Sequence, residues 1–413
     1  MSLNEETRAF ARAHRGQDVR DLALHARPGE GVDLPAALDQ IAGWRTARTK
    51  LPQWAACEDI LYPPHLAMEQ CSSEATARYK AAVAARLAAG EPGPTTLVDL
   101  TGGFGVDCSF LARGFDRAVY VERQEALCDL ARHNFAALGL GHVEVRHGEA
   151  REQADAVGPA TLVYLDPARR DAHGARTYAI ADCSPDLAAL LPRLLDAAPH
   201  VMAKLSPMLD WHRAVADLGG HVAEVHVVSV GNECKELLLV LDRAEHGRPD
   251  LVCADDGAVF VVAADGSTSW TGQACGHADA NAHAEPEPAG DAASWRFLYE
   301  PNASVMKAGC FREVARSFGV AQVASNSHLF VSADPAPGFP GRAFCIEAVT
   351  TMAKRELKAL LAGVDRANVA VRNFPMSADA LRKRLRLRDG GDAYLFGTTG
   401  ADGRHLIILG RKA

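Results

Sequence analysis

VDLTGGFGVD, residues Val98–Asp107, is the stretch on which the fold turns. An apolar run, TLVDL at 96–100, leads into a turn with glycines at 102, 103 and 105, and a helical pattern follows. Glycine allows the tight turn and lets the backbone approach a ligand that any Cβ would hold off. Alone, such a turn fits many nucleotide-binding sheets. Two carboxylates narrow the choice. Asp99, inside the strand, would repel a pyrophosphate. Glu122 ends the next apolar run 23 residues later, where a carboxylate can hold ribose hydroxyls. The G-x-x-x-x-G-K-S/T pattern is absent, which argues against a nucleoside triphosphate.

Outward from this turn, short apolar runs alternate with helical stretches such as QEALCDLARHNFAALGL, 124–140. The runs are TLVDL (96–100), AVYVE (118–122), VEVRH (143–147), TLVYLD (161–166), HVMAKLS (200–206), HVAEVHVVSV (221–230) and KELLLVLDR (235–243). Strands joined by crossovers predict a mostly parallel sheet covered on both faces. Only GNEC separates the last two runs, so these should pair antiparallel. The expected fold class is α/β: a doubly wound seven-stranded sheet, an N-terminal helical region and a small C-terminal α/β domain. The expected domains are 1–94, helical; 95–243, the core; 244–294, a hairpin and flexible linker; and 295–413, the small α/β portion.

The chain has 413 residues, 48% hydrophobic, enough for two or three domains. No apolar run reaches membrane-spanning length, and the charged N-terminus does not read as a signal peptide. The ten cysteines are scattered singly without zinc spacing, which suggests reduced thiols in a cytoplasm and no metal. Net charge is −8, unevenly spread. Residues 351–413 carry 13 Lys+Arg against 6 Asp+Glu, and residues 1–350 carry 31 against 46. A basic end on an acidic body fits an anionic partner, or merely a solvated face.

The four ordered signals of 96–243 resemble the class I S-adenosylmethionine-dependent methyltransferase core. By that resemblance Asp99, Thr101, Gly103, Phe104 and Gly105 would line the methionine end of S-adenosylmethionine. Glu122 would hold the ribose, and Glu149 the adenine amino group; a plain helix N-terminal acid also explains Glu149.

LVYLDPARRD, 162–171, is the fourth strand and its end. It resembles the Asp-Pro-Pro-Tyr motif of methyltransferases that modify amino nitrogens, often on nucleic-acid bases. An exocyclic amine is a poor nucleophile because its lone pair is delocalised into the ring. A carboxylate and a backbone carbonyl that accept its two N–H bonds turn that lone pair toward the methyl group. Asp166 and the peptide at Pro167 would do so here. Ala168 and Arg169 stand where the motif has proline and an aromatic, so Arg169 would stack on the base in the aromatic's place. Alternatively, Asp166 caps a loop and the arginines pair with nearby acids. Lys204 would sit near a target phosphate or pair with Asp166. In 68–80, Ser72 or Ser73 belongs to a segment covering the cofactor or is a helix N-cap.

LYEPNASVMKAGCF (298–311), VRNFPMSADALRKRLRLRDGG (371–391) and DPARR together resemble bacterial THUMP-like methyltransferases, whose modules are associated with RNA binding. In the predicted helix 377–389, Arg382, Lys383, Arg384, Arg386 and Arg388 are candidate phosphate contacts. Phe374, Tyr394 and Phe396 fit strand burial better than base stacking. The reading is a cytoplasmic S-adenosylmethionine-dependent methyltransferase acting on a base amine in structured RNA. The alternatives are a protein or small-molecule methyltransferase and a non-catalytic RNA-binding protein.

Overall fold

The computed structural model describes residues 3–27, 29–63, 65–156, 158–169, 180–272 and 289–413. Two compact units emerge: Met1–Val225 with Lys235–Arg248, and His226–Cys234 with Pro249–Ala413. The N-terminal helices therefore fold with the sheet that follows them.

Six helices open the first unit: α1 (Glu5–His14), α2 (Val19–His25), α3 (Leu34–Lys50), α4 (Pro52–Ala56), α5 (His65–Gln70) and α6 (Glu74–Ala88). Asn4, Asp18, Asp33 and Ser73 cap four of them by accepting otherwise unpaired backbone N–H groups. Ser73 is thus the cap of α6, which frees the Ser72 hydroxyl for other partners.

Nine strands follow: β1 (Thr96–Asp99), β2 (Arg117–Glu122), β3 (Val143–His147), β4 (Leu162–Leu165), β5 (Ala168–Arg169), β6 (Cys183–Ser184), β7 (His200–Leu205), β8 (Val222–Val230) and β9 (Glu233–Asp242). Seven run in the order β8-β9-β7-β4-β1-β2-β3. The β4, β1, β2, β3 and β7 neighbours are parallel, and β9 lies antiparallel to β7. Crossovers are supplied by α7 (Val106–Leu111), α8 (Glu125–Ala137), α9 (Ala150–Ala156), α10 (Leu187–Ala197) and α11 (Trp211–Asp217). These are the seven strands expected above, contiguous within a larger sheet of ten. The β8–β9 turn is tighter than GNEC suggests, because Gly231 and Asn232 both take φ of 60° and make a two-residue loop. Leu97, Leu162, Met202 and Val240 pack with Val83 and Leu87 of α6 on one face of the sheet. Each such side chain contributes roughly 2 kcal/mol of burial, so the face anchors α6 firmly. β5 and β6 form a separate antiparallel ladder that returns the chain beside the end of β4.

In the second unit β10 (Asp250–Asp255) and β11 (Ala258–Val262) form the expected hairpin, turning through Asp256 and Gly257, both at positive φ. β12 (Thr268–Thr271) adds a third antiparallel strand. Then come β13 (Phe297–Pro301), α12 (Ala303–Ala308), α13 (Phe311–Phe318), β14 (Ala321–Gln322), β15 (Phe330–Ser332) and β16 (Gly341–Thr351). The chain closes with α14 (Lys354–Leu360), β17 (Asn368–Arg372), α15 (Ala378–Leu385), β18 (Ala393–Thr399) and β19 (His405–Lys412). Their sheet order is β14-β15-β13-β16-β19-β18-β17. Leu357 and Leu360 of α14 join Leu381 and Leu385 of α15 over Leu395 and Ile407, so both helices cover one face. The predicted helix 377–389 stops early. Arg386 turns left-handed at φ 59°, and the N–H groups of Arg386 and Leu387 close back on Lys383 and Arg382. Among the described residues, no helix is long and apolar enough to cross a membrane.

Candidate functional site

Gly102 follows β1 where a Cβ would stand 2.0 Å from the Tyr120 ring, so only glycine fits. Gly105, at φ 88°, begins α7. The Tyr120 hydroxyl donates to the Gly103 carbonyl at 2.5 Å, and the Gly103 N–H donates to Glu122 Oε2 at 2.9 Å. Gln124 donates its N–H to the other Glu122 oxygen at 2.8 Å. The loop is therefore tied to β2, while each Glu122 oxygen keeps a lone pair for a hydroxyl donor. Asp99 is only 1% exposed and accepts the Thr101 N–H at 3.0 Å. Burial pushes its pKa well above the usual carboxylate range, and Asp107, Asp166 and Glu122 push it further. Thr101 links the loop to the fourth strand, because its Oγ1 accepts the Asp166 N–H at 2.5 Å.

These groups open onto a cleft of about 1010 Å³ in the first unit. Asp99, Thr101, Gly103, Phe104 and Gly105 line it, as do Glu122 and Glu149. Asp166 lines the same cleft. The structure thus brings together every sequence-selected cofactor candidate and Asp166. Pro167 and Lys204 are not on its wall. Lys204 stands behind Asp166, donating to Oδ2 at 2.5 Å, so the observed partner is the carboxylate and not an open phosphate site. Burial alone would lower the Lys204 pKa, but Asp166, Asp107 and Glu236 outweigh it and hold it above the ordinary lysine value. The side chain of Arg169, Arg170 and Asp171 lie outside the described residues, as do His277 and His283. Ser206 and Asp210 are spent locally: Ser206 Oγ accepts the Met208 N–H, and Asp210 caps α11.

From the 68–80 segment, Ser72 lines the cleft beside Cys71 and Gln70, while Ser73 is the helix cap. Sequence reasoning missed another part of the wall: Ser184, Pro185 and Asp186 line it where the chain returns through β6. Asp107 and Tyr164 also face it. Behind them lie Lys80, with no exposed side-chain surface, and Glu236, 2% exposed. A charged residue inside the apolar run ELLLVL and a lone lysine inside an alanine helix were the available signals.

In the second unit the five cations of 382–388 divide. Arg382 pairs with Asp379 and Asp389, and Arg388 pairs with Asp365. Lys383, Arg384 and Arg386 are exposed, with no ion pair among the described residues. Phe396 is 1% exposed and the half-buried Tyr394 packs with it on Phe344, so both serve strand packing. Among the described residues, no group of three or more His, Cys, Asp and Glu side chains is arranged for a metal.

Residues 341–412 match the THUMP domain-like family, and residues 297–340 match a ferredoxin-like domain. Uncharacterised S-adenosylmethionine-dependent methyltransferases from two strains of Mycobacterium tuberculosis are each 28% identical over 359 residues, 84% of this chain and 90% of theirs. The crystal structure of a presumed methyltransferase from Porphyromonas gingivalis W83 is 31% identical. It covers 100% of both chains with a TM-score of 0.82.

Proposed function

Because this chain belongs to the S-adenosylmethionine-dependent methyltransferases that end in a THUMP-like module, we propose that it methylates an amine nitrogen of a base in structured RNA. One observation carries the reading: Asp166, at the end of β4, opens onto the same cleft as the glycine loop, joined to it through Thr101. Bound S-adenosylmethionine supplies an electrophilic methyl group on a cationic sulfur. The residues present fit that cofactor. Gly102 to Gly105 let the backbone come close, Glu122 keeps lone pairs for ribose hydroxyls, and Glu149, on the cleft wall, would accept from the adenine amine.

Asp166 would accept one amine N–H and the peptide carbonyl at Pro167 the other, turning the nitrogen lone pair toward the methyl donor. The Lys204 bond fixes Asp166 through Oδ2 and leaves carboxylate lone pairs for that N–H. The N–H proton is lost to water once the new N–C bond has formed. Lys383, Arg384 and Arg386 would hold RNA phosphates without reading sequence. The test is transfer of labelled methyl groups from S-adenosylmethionine to undermodified bacterial RNA, followed by digestion to nucleosides. A base methylated on an exocyclic nitrogen is the expected product. Label on carbon or ribose would overturn the amine reading, and label in protein or small molecules alone would overturn the RNA reading.

A further inference from the structure

Lys80 is fully buried on α6, yet its ammonium meets both Glu236 oxygens at 2.7 Å, Ser72 Oγ at 3.1 Å and Asp107 Oδ1 at 3.3 Å. Asp107 also accepts the Ser72 and Tyr164 hydroxyls, each at 2.8 Å. Burial would raise the Asp107 pKa, but Lys80 and Lys204 with these two hydroxyls hold it below the usual range. Lys204 bonds Asp166, and the charges of Asp107 and Glu236 act on it as well. Two ammoniums therefore serve three carboxylates, Asp107, Asp166 and Glu236. The five groups come from α6, α7, the end of β4, β7 and β9.

A buried ion cluster is costly to desolvate, and an apolar core would commonly be as stable. The apolar contacts of Val83 and Leu87 already anchor α6, so packing does not demand Lys80. Its charge matters for what it does to Lys204. Without Lys80, Glu236 and Asp107 would face each other's field with Lys204 as the nearest cation. Lys204 would turn to them and release Asp166.

We infer that Lys80 is a positioning residue for methyl transfer: by neutralising Glu236 and Asp107 it leaves Lys204 to hold Asp166 at the cleft. The inference rests on the reading of Asp166 as the acceptor-orienting group. It makes α6 part of the active site through a residue that touches neither substrate.

Two arms test it. The first needs no acceptor: crystal structures of Lys80→Met and of Lys80→Met/Glu236→Gln, each with S-adenosylmethionine. In the single variant Lys204 Nζ should leave Asp166 for Glu236 or Asp107. In the double variant, which removes the surplus negative charge, it should return to within about 3.2 Å of Asp166. Lys204 still bonded to Asp166 in the single variant would overturn the inference.

The second arm measures methyl transfer to undermodified RNA. Lys80→Met should lower kcat about 100-fold with KM for S-adenosylmethionine changed less than about threefold. Lys80→Met/Glu236→Gln should recover about tenfold of that loss. A double variant no better than the single would mean that Lys80 serves only the fold. Should Lys80→Met not fold, Tyr164→Phe keeps every charge and removes one bond to Asp107. It should lower kcat about threefold, and unchanged kcat would contradict the inference. If wild-type protein labels no RNA, the proposed acceptor fails while the crystallographic arm still decides the role of Lys80.

Discussion

Lys80 has no exposed side-chain surface and meets oxygens of three side chains, whereas Arg384 stands in solvent with no ion pair among the described residues. Lys80 is held by the buried carboxylates of Glu236 and Asp107, and Lys204 by Asp166 at the cleft. Across 382–388 the outer cations of the cluster, Arg382 and Arg388, are tied to aspartates, and those between them are left over. Buried charge fixes geometry, because every shift of one member exposes another to an uncompensated field. Exposed charge fixes nothing, but it remains available to an anionic partner and is screened by salt. The first kind suits chemistry and the second suits capture.

The largest effect should come from removing Asp166, where the paired charges reach the cleft. Asp166→Ala should lower single-turnover methyl transfer at least about 1000-fold, with S-adenosylmethionine affinity by calorimetry within about threefold of wild type. Next is Glu122→Ala, which removes the proposed ribose acceptor and the anchor of the Gly103 N–H together. Its dissociation constant for S-adenosylmethionine should rise about 30-fold, the equivalent of roughly 2 kcal/mol, by isothermal calorimetry.

The exposed kind predicts smaller losses of a different type. Arg384→Ala/Arg386→Ala should weaken RNA binding about tenfold at moderate salt and make its logarithmic salt dependence shallower by about one to two ions. Arg388→Ala, whose partner is Asp365, should change RNA binding by less than about twofold in the same filter assay. Equal losses from both variants would erase the distinction between spent and available cations.

The smallest effect should be a gain. Asp99 has a raised folded pKa, so the protonated form is favoured by folding. That stability is present below the unfolded aspartate pKa and is lost as pH rises through the folded value. Asp99→Asn should therefore raise Tm by about 2–4 °C at pH 8 and change it little at pH 4, while weakening cofactor binding. Calorimetric unfolding at the two pH values checks the sign.

Most of the sheet was legible because its cues are local. Strand–crossover alternation, a glycine turn and a four-residue gap before the last strand together predict a mostly parallel sheet and its closing antiparallel pair. Helix ends were less legible. The run ALRKRLRLRD reads as one helix by propensity, yet burial of Leu387 and the left-handed turn at Arg386 end it. The cleft's Asp99, Thr101 and Glu122 lie within one stretch of 24 residues and were visible as a pattern. Lys80 and Glu236 are separated by 156 positions, and nothing in either neighbourhood names the other. The same holds for Ser184–Asp186, which reaches the cleft only because β6 pairs with β5.

The measurement that tests the central claim most directly is single-turnover transfer of a labelled methyl group to undermodified RNA, run on wild type and Asp166→Ala, with cofactor affinity measured on both. The account predicts label in wild-type reactions, near-complete loss in the variant, and closely similar S-adenosylmethionine affinities. RNA labelled equally by both proteins would contradict it, since the end of β4 would then not hold the methyl acceptor.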